Sequence, residues 1–145
     1  MKNLLIISSL SIVLLACGNI NKSSKKNSTV IHPVLLTNDF STLARESSET
    51  TILNALVSDS TLTLNISYNG GCKDHDFQLI GSNFIQKSLP PIRNIMLIHN
   101  SNGDDCRELI EQELKFNISE FKYPNGDIML SLQGYKPKIL FSSID

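Results

Sequence analysis

Apolar and polar residues alternate through Thr61-Leu62-Thr63-Leu64-Asn65-Ile66-Ser67-Tyr68, which puts Leu62, Leu64, Ile66 and Tyr68 on one face of an extended strand. The run Thr51 to Val57 precedes it across the polar turn Ser58-Asp59-Ser60, so the two predict a hairpin with one buried face. Asn69-Gly70-Gly71 breaks the pattern, and a short strand follows at Asp76 to Ile80. Pro90-Pro91 stops the chain again before Ile92 to His99, a mostly apolar run that reads as a central strand. Asp105 to Leu114 is ambiguous. Cys106, Leu109, Ile110 and Leu114 have helical spacing, whereas Leu114, Phe116 and Ile118 alternate, which predicts a helical turn or bulge leading into a strand. Tyr123-Pro124-Asn125-Gly126-Asp127 is a turn, and Ile128 to Leu132 and Lys138 to Ser142 complete the strands. About six to eight short strands separated by turns predict an all-β domain, a single antiparallel β-sandwich that is Ig-like or a partly open barrel.

The start of the chain has a different pattern. Lys2 precedes the apolar stretch Leu4 to Leu15, too short for a permanent membrane span, and small residues follow at Ala16-Cys17-Gly18. These are the parts of a secretory signal. Leu14-Leu15-Ala16-Cys17 resembles the lipobox of bacterial lipoproteins, which implies cleavage before Cys17, acylation of its thiol and amino group, and anchoring to a bilayer. Gly18 and Asn19 stand where some lipoproteins carry an inner-membrane retention aspartate, so the expected location is the cell envelope, with the outer membrane favoured over the inner. From Asn19 onward Asn, Lys, Ser and Thr dominate, which predicts a solvated tether. The expected organisation is a signal peptide over 1–16, a lipidated Cys17 with a flexible tether over 17–49, and the β-domain over 50–145; Val34 to Ser48 could belong to the tether or to a first short element.

Composition sharpens this reading only when the chain is divided. The 145 residues carry a formal charge of −1, with no tryptophan and 6% aromatic residues. The first sixteen hold one lysine and no acid, so the remaining 129 carry twelve basic and fourteen acidic residues, a charge of −2. That excludes a basic field for nucleic acid, and the length excludes a multidomain enzyme. No phosphate loop or dinucleotide fingerprint is present.

Cys72 and Cys106 are the only cysteines after Cys17, and in an oxidising compartment such a pair predicts a disulfide. The bridge would bring Asp74, His75 and Asp76 beside His99, Asp104 and Asp105, gathering the chain's candidate chemistry into two neighbouring loops. With reduced thiols, Cys72, His75, His99 and Cys106 match zinc; with the bridge formed, the carboxylates are the alternative for calcium, although their spacing follows no regular calcium loop. His75 with Asp76 is only a fragment of a hydrolytic site. The expectation is therefore no enzyme, no catalytic residues and no cofactor, with the histidines packing beside the bridge and the aspartates solvating loop ends.

The stretch Leu62-x-Leu64-x-Ile66-Ser67-Tyr68-x-Gly70-Gly71-Cys72-x-x-His75-x-Phe77-x-Leu79, with Ile98-His99, Asp104-x-Cys106 and Leu114-x-Phe116-x-Ile118-Ser119, resembles the NigD-like lipoproteins. It is similar to their C-terminal β-sandwich domain over about residues 50–142, whereas the OB-type domain that precedes it in that group has no room here. The resemblance implies an exported sandwich with paired cysteines and implies no activity. The expected role is an envelope module that binds another envelope protein or a small ligand through the loops around Lys73 to Phe77 and His99 to Asp105. A metal-binding accessory lipoprotein and an inhibitor or immunity lipoprotein are the alternatives.

Overall fold

A computed structural model describes residues 25–142 except 46 and 125, and side chains from residue 30 onward except that of residue 44. The signal segment 1–16 and Cys17 lie outside the described residues. Eight strands follow one another as β1 (Lys25–Thr37), β2 (Thr51–Ser58), β3 (Thr61–Gly70), β4 (Asp76–Gln86), β5 (Ile92–Asn100), β6 (Glu108–Asn117), β7 (Ile128–Leu132) and β8 (Ile139–Phe141). Helix α1 (Phe40–Arg45) lies between β1 and β2, and a 3-10 turn spans Ser119–Phe121.

The strands form one sheet in the order β2-β3-β6-β1-β4-β5-β7-β8. Its two edge strands, β2 and β8, curl toward contact, so the all-β architecture is a nearly closed, partly open barrel. Of the seven pairings, β2-β3, β3-β6, β4-β5 and β7-β8 are antiparallel, while β1-β4, β1-β6 and β5-β7 are parallel. The parallel pairs depart from a purely antiparallel sandwich, and two of them arise because β1 enters the middle of the sheet.

That central strand corrects the boundary of the tether. The segment 17–49 reads as solvated linker in the sequence, yet Lys25–Thr37 pairs with β6 and then with β4, and Phe40–Arg45 is helical. The first part of β1 is held by backbone hydrogen bonds to β6 and its last part by those to β4, and such bonds do not require the apolar side chains that composition looks for. Pro33, facing Asn117, is the last residue aligned with β6, and Val34, facing Leu79, is the first aligned with β4. Proline lacks a backbone donor, so it suits the point where the strand changes partner.

The period-two face of β3 becomes the core. Leu62, Leu64 and Ile66 are fully buried with Leu114 and Phe116 of β6, and Leu79, Ile95, Ile128, Leu130 and Phe141 meet them across the barrel. The helical turn expected near Asp105 is absent; β6 begins at Glu108 and stays extended. The helical spacing there misleads because Cys106 is drawn off by its bridge and Leu109 points outward at 60% exposure.

Gly81, inside β4, has a steric reason. A Cβ there would meet the ring of buried Phe121 at 2.5 Å. Gly81→Ala is expected to cost about 1–3 kcal/mol by overpacking, read as a lower urea midpoint with an unchanged slope.

Chain direction gives the barrel two distinct ends. Since β1 runs parallel to β4 and β6, Lys25, Asp76 and Glu108 start at the end where β3 and β5 finish with Gly70 and Asn100. The β4–β5 hairpin stands at the other end, on the side where β1 finishes at Thr37.

Candidate functional site

The first end holds the residues singled out by the sequence. Cys72 and Cys106 are bonded, with Cα atoms 5.9 Å apart across a separation of 34 residues. Asp104 clips the same loops together. Its Oδ2 accepts from the backbone N–H groups of Cys72 and Lys73 at 2.9 Å each, and its Oδ1 from that of Cys106 at 2.9 Å. The Cys106 N–H leads the groups holding the Asp104 carboxyl well below the usual carboxylate range, with those of Lys73 and Cys72 and the His75 ring acting in the same direction against the cost of burial. Lys73 Nζ closes the loops from the other side by donating to the carbonyls of Asn102 (3.0 Å) and Gly103 (2.7 Å).

From this carboxylate a chain of hydrogen bonds runs inward. An ionised Asp104 only accepts, so His75 Nε2–H donates to its Oδ2 at 3.2 Å. His75 Nδ1 and His99 Nε2 share a hydrogen bond of 2.7 Å, and His99 Nδ1 shares another of 2.7 Å with the Thr50 hydroxyl, the donor in each being set by the tautomers. The carbonyl of Glu49 stands 3.2 Å from that same Nδ1. His75 and Asp104 present side chains only 1% and 0% exposed, and His99 is 1% exposed. Burial first, with the neighbouring His75 adding to it, holds the His99 imidazole below its ordinary value despite opposing hydrogen bonds to the Glu49 and Ser48 backbone.

The fold supplies each position. His99 faces Phe77 across β4 and β5, and their rings lie 14° from parallel with centroids 4.6 Å apart. Tyr68 covers both imidazoles, 4.7 Å from His75 and 5.1 Å from His99, and donates its hydroxyl to Gln112 Oε1 at 2.8 Å. Gly70 is required because a Cβ there would fall 2.7 Å from the His75 ring. The segment just before β2 straps the far side: Ser48 N–H donates to the His99 carbonyl at 2.7 Å, and His99 N–H donates to Ser47 Oγ at 3.0 Å.

Thus His75, His99 and Asp104 converge, while Asp74, Asp76 and Asp105 are exposed. Asp76 Oδ2 and the Asp74 carbonyl both accept from the Asn102 side-chain amide at 2.9 Å. Thr50, Tyr68 and the Ser47–Glu49 strap were not indicated as site residues by the sequence; only the alternation that buries Tyr68 carried a signal, since nothing local marks Thr50 as facing a residue 49 positions away. The donors do not fit a metal. Cys72, Asp104 and Cys106 place ligand atoms within 4.8 Å of one another, but both sulfurs are in the bridge and the carboxylate is taken by backbone N–H groups. All four imidazole nitrogens are likewise engaged, which removes the zinc set. Thr50→Val, which keeps the volume but removes the hydroxyl bonded to His99 Nδ1, is expected to cost about 1–3 kcal/mol in chemical denaturation.

Comparison with known proteins gives a fold likeness. No family model and no curated protein matches the chain. A solved NigD-like immunity protein from Bacteroides caccae superposes with a TM-score of 0.58 at 13% identity, over 81% of this chain and 66% of that one. A protein of unknown function, DUF1344, from Bacteroides vulgatus gives 0.53 at 16%, over 79% and 57%. A toxin-related protein from Parabacteroides distasonis gives 0.52 at 17%, over 78% and 59%. The chain therefore spans less than two thirds of each neighbour's length, and at these identities what it shares with them is the fold.

Proposed function

We propose that this chain is a membrane-tethered, non-enzymatic binding module of the bacterial envelope with an immunity-type role: it engages a protein that would otherwise damage the envelope. The observation that carries the binding reading is that the reactive groups of the loop end are turned on one another, in a carboxylate, two imidazoles and a hydroxyl linked in series beneath Tyr68. A hydrolytic site needs such groups directed at substrate. The immunity direction is supported by two fold neighbours, one a NigD-like immunity protein and one toxin-related. The tether is supported by Leu14-Leu15-Ala16-Cys17.

Two measurements test this reading. Cys17→Ser is expected to yield an unprocessed or soluble product, and unchanged membrane fractionation would count against lipidation. Deleting the gene in its native host is expected to sensitise cells to protein antagonists secreted by the parental strain, with the wild-type chain restoring resistance. A deletion strain as resistant as its parent would sink the immunity role.

A further inference from the structure

The β4–β5 hairpin carries the most exposed aromatic and the most exposed leucine among the described residues: Phe84 at 72% and Leu89 at 99%. Phe84 is not on a loose loop. β4 takes four steps from Gly81 to Ile85 where its partner β5 takes two, from Ile95 to Arg93, so two surplus residues form a bulge. The bulge is fastened at each residue: Ser82 Oγ accepts from the Phe84 N–H at 3.1 Å, and Asn83 Nδ2 donates to Asn38 Oδ1 at 2.9 Å. Beneath it lies Arg93, only 5% exposed, which donates from Nη1 to the Ser82 carbonyl and places its guanidinium 5.9 Å from the centre of the Phe121 ring. No ion pair to a carboxylate is found for Arg93 among the described residues, and its Nε has no hydrogen-bond partner. Burying a cation on these terms is unfavourable, and what it secures is the backbone of a bulge whose aromatic side chain faces water. An aromatic side chain held in water on a fixed backbone is the pattern of an interaction anchor.

We propose that the β4–β5 hairpin is a docking surface for a folded protein that offers an apolar pocket, with Phe84 and Leu89 as its anchors and Arg93 as the residue that positions Phe84. The proposal rests on the tethered reading above, which also selects a protein over the bilayer as the occupant. Only the seven residues 18–24 separate Cys17 from the start of β1, a reach of at most about 25 Å. They join the barrel at the cysteine end, and β4 carries the hairpin about 35 Å further along. The apolar hairpin thus projects away from the anchor. A ring standing out from the hairpin calls for a concave partner, and beside it lies an open cleft of about 870 Å³ lined by Ile85, Leu89, Pro91 and Tyr123 among others, where a partner side chain can seat.

The test is site-specific photo-crosslinking of the full lipidated chain in its native host, with p-benzoylphenylalanine replacing Phe84 or Leu89, and replacing Leu53 or Leu109 as exposed leucines elsewhere on the barrel. A discrete protein adduct is expected at 84 and 89, several-fold stronger than at 53 and 109, with the adduct at 89 lost in a Phe84→Ser background. Arg93→Met is expected to weaken the adduct at 84 at unchanged chain abundance. No adduct at the hairpin, equal adducts at all four positions, or transfer of the label to lipid would overturn the docking surface. Survival assays separate the two ideas: a Phe84→Ser, Leu89→Ser chain is expected to lose protection. Protection without hairpin adducts leaves the immunity reading standing and this surface refuted, whereas hairpin adducts in a host that needs no protection do the reverse.

Discussion

Serine at Cys72 or at Cys106 is expected to lower the unfolding free energy by about 4 kcal/mol, and by the same amount at either position. The magnitude comes from loop closure: opening a cross-link between residues 34 apart returns to the unfolded chain an entropy worth about 3.8 kcal/mol in the chain-entropy description. For a small domain whose whole stability is about 5–15 kcal/mol, this is a large share. The folded state adds to it, because Asp104 bonds to the backbone on both sides of the bridge and gains its geometry from the closed loops. Equality is the sharper part of the expectation, since either substitution opens the same loop. Guanidinium unfolding of each variant, and of the wild-type chain with and without reductant, checks it. Clearly unequal losses, or two titratable thiols in the unreduced wild-type chain, would show that the cysteines do not share a bond.

The strands were legible where side chains alternate against a core, as in β3, or form a bounded apolar run, as in β5 and β7. β1 was not legible, because Lys25-Lys26-Asn27-Ser28-Thr29 is as polar as a linker, and its central place depends on hydrogen bonds from β4 and β6, strands far away in sequence. The bulge at Ser82 to Phe84 was hidden for a related reason: register is a property of two strands, and one sequence run displays only its own half. At the candidate site, residue types and the cysteine pair indicated the neighbourhood of His75, His99 and Asp104. They did not indicate that the histidines would bond to each other, nor that Thr50 would end the chain, because ring orientation is set by Gly70, Tyr68 and the strap preceding β2.

The histidine chain makes this domain sensitive to acid. His99→Ala is expected to cost about 3 kcal/mol or more at neutral pH, since it opens a cavity beside Phe77 and Tyr68 and removes the ring that bonds His75 Nδ1 and the Thr50 hydroxyl. The imidazole of His99 is held below its ordinary value, chiefly by burial, so the unfolded chain binds a proton at a higher pH than the folded chain does. Stability must then fall as pH drops below about 6.5, with a slope of at most about 1.4 kcal/mol per pH unit for one proton, until the lowered folded value is reached. Asp104 acts in a separate and more acid window. Its depressed carboxyl contributes stability above the unfolded carboxylate value of about 4, and that contribution is lost as pH falls through the folded value. Both effects have the same sign, so acidification destabilises the fold in two stages. Calorimetric melts from pH 7.5 to 3 check this, with His99→Phe as the comparison because it preserves a ring against Phe77 while removing the titrating group. The variant is expected to melt lower than wild type at pH 7.5 and to lose less on going to pH 5. A wild-type melting temperature that rises toward pH 5 would mean that the folded chain takes up the proton more readily than the unfolded one, and the lowered value of His99 would have to be abandoned.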